Sequence, residues 1–295
     1  MLKRTLSATT LLIILFCAIF FGKIYGVIAL ATIASTLALF EFYRLMDHCG
    51  AKPRKAIGLL IGILFIPTIF YGAAQGNFTT NTEIAMLVPA AIIIICGICL
   101  MRSRKIPEIV KQLSTGIGVL YIPFMVSFFA LLVGIYGMNG VWFCAWIVLT
   151  TKFTDVGGLL GGKFFGKRKL APTISPHKTW EGVIGGLILS MVVGAGVAAL
   201  FNCAGVWEPE IVVVGVAKVV PPDFAFSPLT GAVCAIPLAI VCVVSDLVES
   251  VVKRNAGDKD SGSTIPGMGG ALDLLDSLLL VAPVGFVVVH HVILR

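Results

Sequence analysis

The sequence predicts an all-α integral membrane protein, a polytopic bundle of about nine transmembrane helices with a cytoplasmic N-terminus. Three observations carry that prediction. Of the 295 residues, 58% are hydrophobic and 13% charged, with a mean hydropathy of +1.02, whereas soluble domains are about 25% charged. Apolar runs of about 20 residues, the length that crosses roughly 30 Å of hydrocarbon, follow one another along the chain. The cations between those runs fall almost entirely on one side.

Hydropathy places spans at 6–22, 24–46, 56–75, 84–101, 115–136, 140–162, 180–203, 228–252 and 271–291. The opening stretch, with Lys3 and Arg4 ahead of an apolar run, has the outline of a signal peptide. No small-residue cleavage site separates it from the next run at Ile24, so it is expected to remain as the first span. With these spans, 18 of the 22 Lys and Arg residues lie on one side. They are Lys3 and Arg4; Arg44, Lys52, Arg54 and Lys55; Arg102, Arg104, Lys105 and Lys111; Lys163, Lys167, Arg168, Lys169 and Lys178; and Lys253, Arg254 and Lys259. Lys23, Lys218 and Arg295 lie on the other side, and Lys152 falls within a span. The positive-inside rule then makes the basic loops cytoplasmic and the C-terminus external.

The net charge of +7 therefore points to a membrane surface; no basic amphipathic or aromatic-interleaved platform suggests nucleic acid. Cys96 and Cys99 form a CxxC inside an apolar run, with no second ligand pair for zinc, and read as buried, inert thiols. Asn77 lies in an N-x-T sequon in a short outer loop, where glycosylation is not expected. The loop at 204–227, with Trp207, Pro221 and Pro222, reads as interfacial. No matched pair of broken spans suggests a transporter repeat. Residues 1–136 supply spans one to five, and 137–295 supply spans six to nine with cytoplasmic loops at 163–179 and 253–270.

Acids at membrane depth are costly and usually functional. Glu41, Asp47, Glu83, Glu108, Glu208, Glu210 and Asp223 fall at span ends or in loops, where solvation accounts for them. The others fall in two blocks. The first, residues 154–182, has Asp155, then Gly157, Gly158, Gly161, Gly162 and Gly166, a basic run, and Glu181 at the start of the seventh helix. The glycines allow either close approach to a ligand or small-residue helix packing. Lys167, Arg168, Lys169 and Lys178 offer donors to phosphate, and Ser175 with Pro176 reads as a helix start.

In the second block, residues 245–277, Asp246, Glu249, Ser250 and Lys253 are spaced i, i+3, i+4 and i+7, one stripe on a helix. Asp273, Asp276 and Ser277 make a second stripe, and the Gly-rich segment between them, with Pro266, turns the two face to face. Facing carboxylates in a low dielectric must share protons or hold a cation. All-oxygen ligands suit Mg²⁺ or Ca²⁺, and Mg²⁺ characteristically combines one or two carboxylates with substrate phosphates. Lys253, Arg254 and Lys259 beside the acids favour metal-bound phosphates over a cation- or proton-coupled carrier, which is the alternative reading.

Ser250, Lys253, Arg254, Lys259, Asp260, Gly262, Pro266, Gly269, Gly270, Asp273 and Asp276, at these spacings, resemble the signature of the phosphatidate cytidylyltransferases, or CDP-diacylglycerol synthases. The run "KLAPTISPHKTWEG" is similar to that family's other recognisable stretch. Met268 stands where the family has His and Leu274 where it has Arg, and the DG-x2-AR run of the CDP-alcohol phosphotransferases is absent. The resemblance implies a transfer of cytidylyl from CTP to phosphatidate, giving CDP-diacylglycerol and pyrophosphate for phospholipid synthesis, with Mg²⁺ as cofactor and a second metal ion left open. It implies Asp246, Asp273 and Asp276 as metal ligands, with Ser250 beside the metal. Lys253, Arg254, Lys259 and Lys178 would hold phosphates, Gly269 and Gly270 would give clearance, and Asp155 and Glu181 would orient lysines or ribose. A homodimer in a bacterial inner (cell) membrane, with its site facing the cytoplasm, is consistent with that family.

Overall fold

A computed structural model describes residues 20–76, 108–207, 226–258, 261–265 and 269–293, together with residues 10, 13, 14, 17 and 18. The span expected at 84–101, with Cys96 and Cys99, lies outside the described residues, as does Asn77, and the span at 6–22 lies largely outside them.

The first described helices are α1 (Lys23–His48) and α2 (Lys55–Ala74), where the second and third spans are expected. A short helix, α3 (Glu108–Tyr121), leads into α4 (Pro123–Phe165). At 43 residues α4 would be about 65 Å long if straight, twice the hydrocarbon thickness. It is not straight. Gly137 has φ 57° and ψ −130°, a conformation that side chains with a Cβ disfavour. There the chain doubles back, so that a Cβ on Gly140 would lie 2.7 Å from the Cα of Val133. Cys144 Sγ likewise sits 3.7 Å from the carbonyl of Phe129, 15 residues earlier. The two legs of this hairpin match the spans expected at 115–136 and 140–162.

A small antiparallel pair, β1 (Lys169–Ala171) and β2 (Ser175–Thr179), follows, with Lys169 opposite Thr179 and Ala171 opposite Ser175. It departs from the all-α expectation and corrects the helix start read at Ser175 and Pro176. Residues before proline favour extended backbone, and a two-stranded ribbon has open edges where a missing N–H costs nothing. Helix α5 (Trp180–Ala204) begins after Thr179, whose Oγ1 caps it by accepting from Gly182 N at 3.1 Å.

Helix α6 (Pro228–Ala256) ends at Gly257, φ 78°, where Asp258 N donates to Lys253 O at 3.0 Å in a left-handed cap. The last span is broken into α7 (Ala271–Leu279), α8 (Val281–Val288) and a π-helical turn at Val289–Ile293, bent by 41°. Pro283 explains the bend: it has no N–H to give Leu279 O, and its ring crowds that carbonyl. Among the described residues, five helical stretches are long and apolar enough to cross a membrane, or six with the bent pair, and the α3–α4 stretch among them is itself two antiparallel legs.

Glycines set how closely the helices approach. A Cβ on Gly157 would lie 2.6 Å from Gly185 O, on Gly182 2.7 Å from Gly158 O, and on Gly185 2.8 Å from Gly157 O. The glycines of the first block therefore serve helix packing between α4 and α5, the second of the two readings given above. Trp146, fully buried, donates from Nε1 to Gly194 O at 3.1 Å in the same contact.

The bundle has two distinct ends. At one, His48 pairs with Asp258 at 2.6 Å, Lys55 with Asp47, Arg54 N donates to Thr115 Oγ1 at 2.7 Å, and Lys178 reaches Asp246. At the other lie the Gly137 turn, Tyr136 against His290, and the end of α2, where a Cβ on Gly134 would meet Phe70 O at 2.9 Å. Asn202 also binds there, to Phe226 through both backbone groups and to Trp207 Nε1. Trp207 thus packs against Phe143, Phe201 and Phe226, anchoring the loop onto the bundle. The described loops carrying the sorted cations all belong to the first end.

Candidate active site

The site lies at the basic end, where α6 and α7 run side by side. Ser245, fully buried, joins them: its hydroxyl donates to Asp276 O and accepts from Leu280 N at 3.3 Å. That zipper sets the two acidic stripes against each other. Ligand oxygens of Asp246, Glu249 and Asp276 then lie within 4.8 Å of one another. Glu249 is fully buried; among the described residues its Oε1 has no hydrogen-bond partner, and its Oε2 pairs with Lys253 Nζ at 2.5 Å. A buried carboxylate oxygen left without a donor is costly unless a cation completes it.

Asp273, by contrast, is already engaged. Its Oδ1 lies 2.8 Å from Lys253 Nζ, and its carboxylate accepts from Ser261 N at 3.1 Å and Gly270 N at 2.7 Å. It is the capping acid of α7, three residues into the helix, and Gly269, at φ 101°, would put a Cβ 2.7 Å from Asp273 Oδ2. Gly269 thus makes room for the capping carboxylate of Asp273, and Gly270 for the carboxylate of Glu41. Among the described residues, the carboxylates close enough together that they could hold a metal ion are Asp246, Glu249 and Asp276.

Lys178, from β2, pairs with Asp246 at 2.6 Å, and Ser250 Oγ donates to Asp246 Oδ1 at 3.4 Å. With all four carboxylates ionised, Asp246, Glu249, Asp273 and Asp276 face two contacting ammonium groups, Lys178 and Lys253. Among the described residues the shortfall is two positive charges, that of one divalent cation. The all-oxygen donor set and the orphaned Glu249 oxygen suit such an ion.

The other expected site residues sit further out. Arg254 is exposed on the last turn of α6, and Lys259 lies outside the described residues. Asp155 accepts from Cys242 Sγ at 3.3 Å and lies 3.8 Å from Lys152. Lys152, a cation inside a span, donates to Leu274 O and Ser277 Oγ, both at 2.8 Å, bringing positive charge to α7. Glu181 accepts from the backbone N–H groups of Lys167 and Arg168 at 3.0 and 3.2 Å, so it shapes the start of the β-ribbon.

Glu41 overturns its reading as a solvated span-end acid. It is 2% exposed, and its carboxylate accepts from Ser261 Oγ at 3.2 Å, Thr264 Oγ1 and Leu272 N at 2.8 Å. Its partners lie more than 200 residues away along the chain, and no local spacing signals them.

A family model described as the cytidylyltransferase family matches residues 2–292. The chain is 29% identical over 298 residues to the phosphatidate cytidylyltransferase of Haemophilus influenzae, covering 95% of this chain and 96% of that one. It is 28% identical to the Bacillus subtilis enzyme of the same name over 285 residues, 96% and 95% of the two chains. To the Brucella suis one it is 31% identical over 233 residues, 72% and 77%.

Proposed function

The chain belongs to the cytidylyltransferase family and is a nucleotidyltransferase, and from that premise we propose that it transfers the cytidylyl group of CTP to phosphatidate. The products are CDP-diacylglycerol, for phospholipid synthesis, and pyrophosphate. A phosphate oxygen of phosphatidate forms a bond to the α-phosphorus of CTP while the bond from that phosphorus to the bridging oxygen breaks, and the electron pair leaves with pyrophosphate. A phosphate monoester is already ionised near neutral pH, so the site needs no Ser–His pair to make its nucleophile.

The observation that carries this reading is the trio Asp246, Glu249 and Asp276 beside two lysines, a site that offers both signs of charge. The trio would hold Mg²⁺, which when bound neutralises charge on the triphosphate. Lys178 and Lys253 present ammonium groups to phosphate oxygens, exchanging carboxylate partners for substrate. Arg254 and Lys259 extend the cationic rim, Ser250 steadies Asp246, and Asp273 holds Lys253 in place. Asp155 compensates Lys152, and Glu181 shapes the start of the ribbon whose second strand delivers Lys178. A cation carrier has little need of a cationic cluster beside its acids, so the alternative reading is not favoured.

Residues 137–295 would supply this chemistry and residues 1–136 the surrounding spans. We place the basic end at the cytoplasmic face of a bacterial cell membrane, with the N-terminus on the same side, because water-soluble CTP and a leaflet lipid meet there. Incubating the purified protein with radiolabelled CTP, Mg²⁺ and phosphatidate should yield lipid-extractable cytidine. Its absence, with a positive control alongside, would remove the proposal.

A further inference from the structure

We propose that Glu41 is a positioning residue for the transfer reaction: from α1 it holds residues 261–265 and 269–272 in the shape that sets Asp273 and Lys253. The inference rests on the cytidylyl-transfer reading above. Three donors on that segment, Ser261 Oγ, Thr264 Oγ1 and Leu272 N, converge on the one carboxylate. The segment is shaped around it: a Cβ on Gly262 would lie 2.5 Å from Glu41 Oε1, and one on Gly270 would strike Oε2. Ser261 and Gly270 in turn give their backbone N–H groups to Asp273, whose Oδ1 meets Lys253. A short relay therefore runs from an N-terminal helix to the ammonium group proposed to hold phosphate. The Ile265–Gly269 bridge, with N···O distances of 2.9 and 3.2 Å, closes the segment on itself. Its attachment to α1 therefore decides where the closed unit sits.

An amide loses the charge that strengthens these hydrogen bonds, and it keeps the third only if the Thr264 hydroxyl turns to accept from its NH₂. Glu41→Gln should lower kcat by about ten- to a hundredfold, the range for losing hydrogen bonds to a charged group, and leave KM for CTP within about twofold. Combined with Lys253→Arg, the loss should fall short of the product of the two single losses, because both act on one ammonium group. In the unliganded protein, hydrogen exchange at Gly270 and Leu272 should quicken about tenfold. Wild-type kcat, or losses that multiply, would overturn the inference. Should Glu41→Gln not fold, Thr264→Val on the exposed side of the segment decides, with an expected loss in kcat of about threefold or more; unchanged kcat overturns the inference. If the wild-type protein transfers no cytidylyl group, the functional reading fails on its own. The exchange comparison still reports on the clamp, and unchanged exchange would overturn it.

Discussion

Replacing Glu249 by glutamine separates a metal ligand from a mere ion-pair partner. The substitution removes one negative charge with little change of shape. At an effective dielectric of about 20, charges no more than 4.8 Å apart repel by at least about 3.5 kcal/mol, so Asp246 and Asp276 together repel Glu249 by about 7 kcal/mol or more. Attraction to Lys253 at 2.5 Å is of similar size, about 6.6 kcal/mol, on the same footing. Because the terms nearly cancel, and Lys253 keeps Asp273, metal-free stability should change by no more than about 2 kcal/mol. The response to metal should change much more. Wild-type protein at a Mg²⁺ concentration a hundred times its Kd gains about 2.7 kcal/mol, and a variant short of one charged ligand needs at least about tenfold more Mg²⁺ for the same gain. Thermal unfolding followed by tryptophan fluorescence across a Mg²⁺ titration in detergent reads both quantities. A wild-type Mg²⁺ midpoint in Glu249→Gln would refute the ligand assignment. Loss of more than about 3 kcal/mol without metal would instead make Glu249 a structural partner of Lys253.

Asp273→Asn should lower kcat by about a hundredfold or more, because it frees Lys253 and weakens the cap of α7, yet leave the Mg²⁺ midpoint unchanged; a shifted midpoint in the same titration would return Asp273 to the ligand set. Lys178→Ala should raise KM for CTP by about tenfold, the worth of one charge-assisted contact to phosphate, and steady-state kinetics with an unchanged KM would show that Lys178 serves only Asp246. Gly157→Leu should push α4 and α5 apart at a contact where a Cβ already lies 2.6 Å from Gly185 O, costing about 3 kcal/mol or more and lowering the unfolding temperature. An unchanged unfolding temperature would mean that this helix contact adapts easily.

Much of the bundle was legible in the chain because hydropathy and charge sorting report directly on a lipid environment. Even the break at Gly137 falls where two spans were expected to part. The stripes on α6 and α7 were legible too, since helical spacing puts Asp246 with Glu249 on one face and Asp273 with Asp276 on another. Within those stripes, Glu249 and Asp273 are both acids at the right spacing. Only the tertiary structure shows that backbone donors and Lys253 already occupy Asp273, while Glu249 retains a free oxygen. The cap at Gly270 and Asp273 is a local signal, three residues long, that a site-directed reading of the glycines passed over. Glu41 differs in kind: its burial is created by a segment 220 residues downstream, a contact no periodicity encodes. The β-ribbon at 169–179 was hidden by its proline, which signals a helix start and an edge strand equally well.

The central claim is that the α-phosphorus of CTP moves to a lipid phosphate, and the fate of labelled phosphorus tests it most directly. In parallel incubations with Mg²⁺ and phosphatidate vesicles, CTP labelled at the α-phosphate should transfer its label to the lipid phase. CTP labelled at the γ-phosphate should release all of its label as pyrophosphate. Label from the γ-position in lipid would make the protein a kinase, and no lipid label from either substrate would contradict the account.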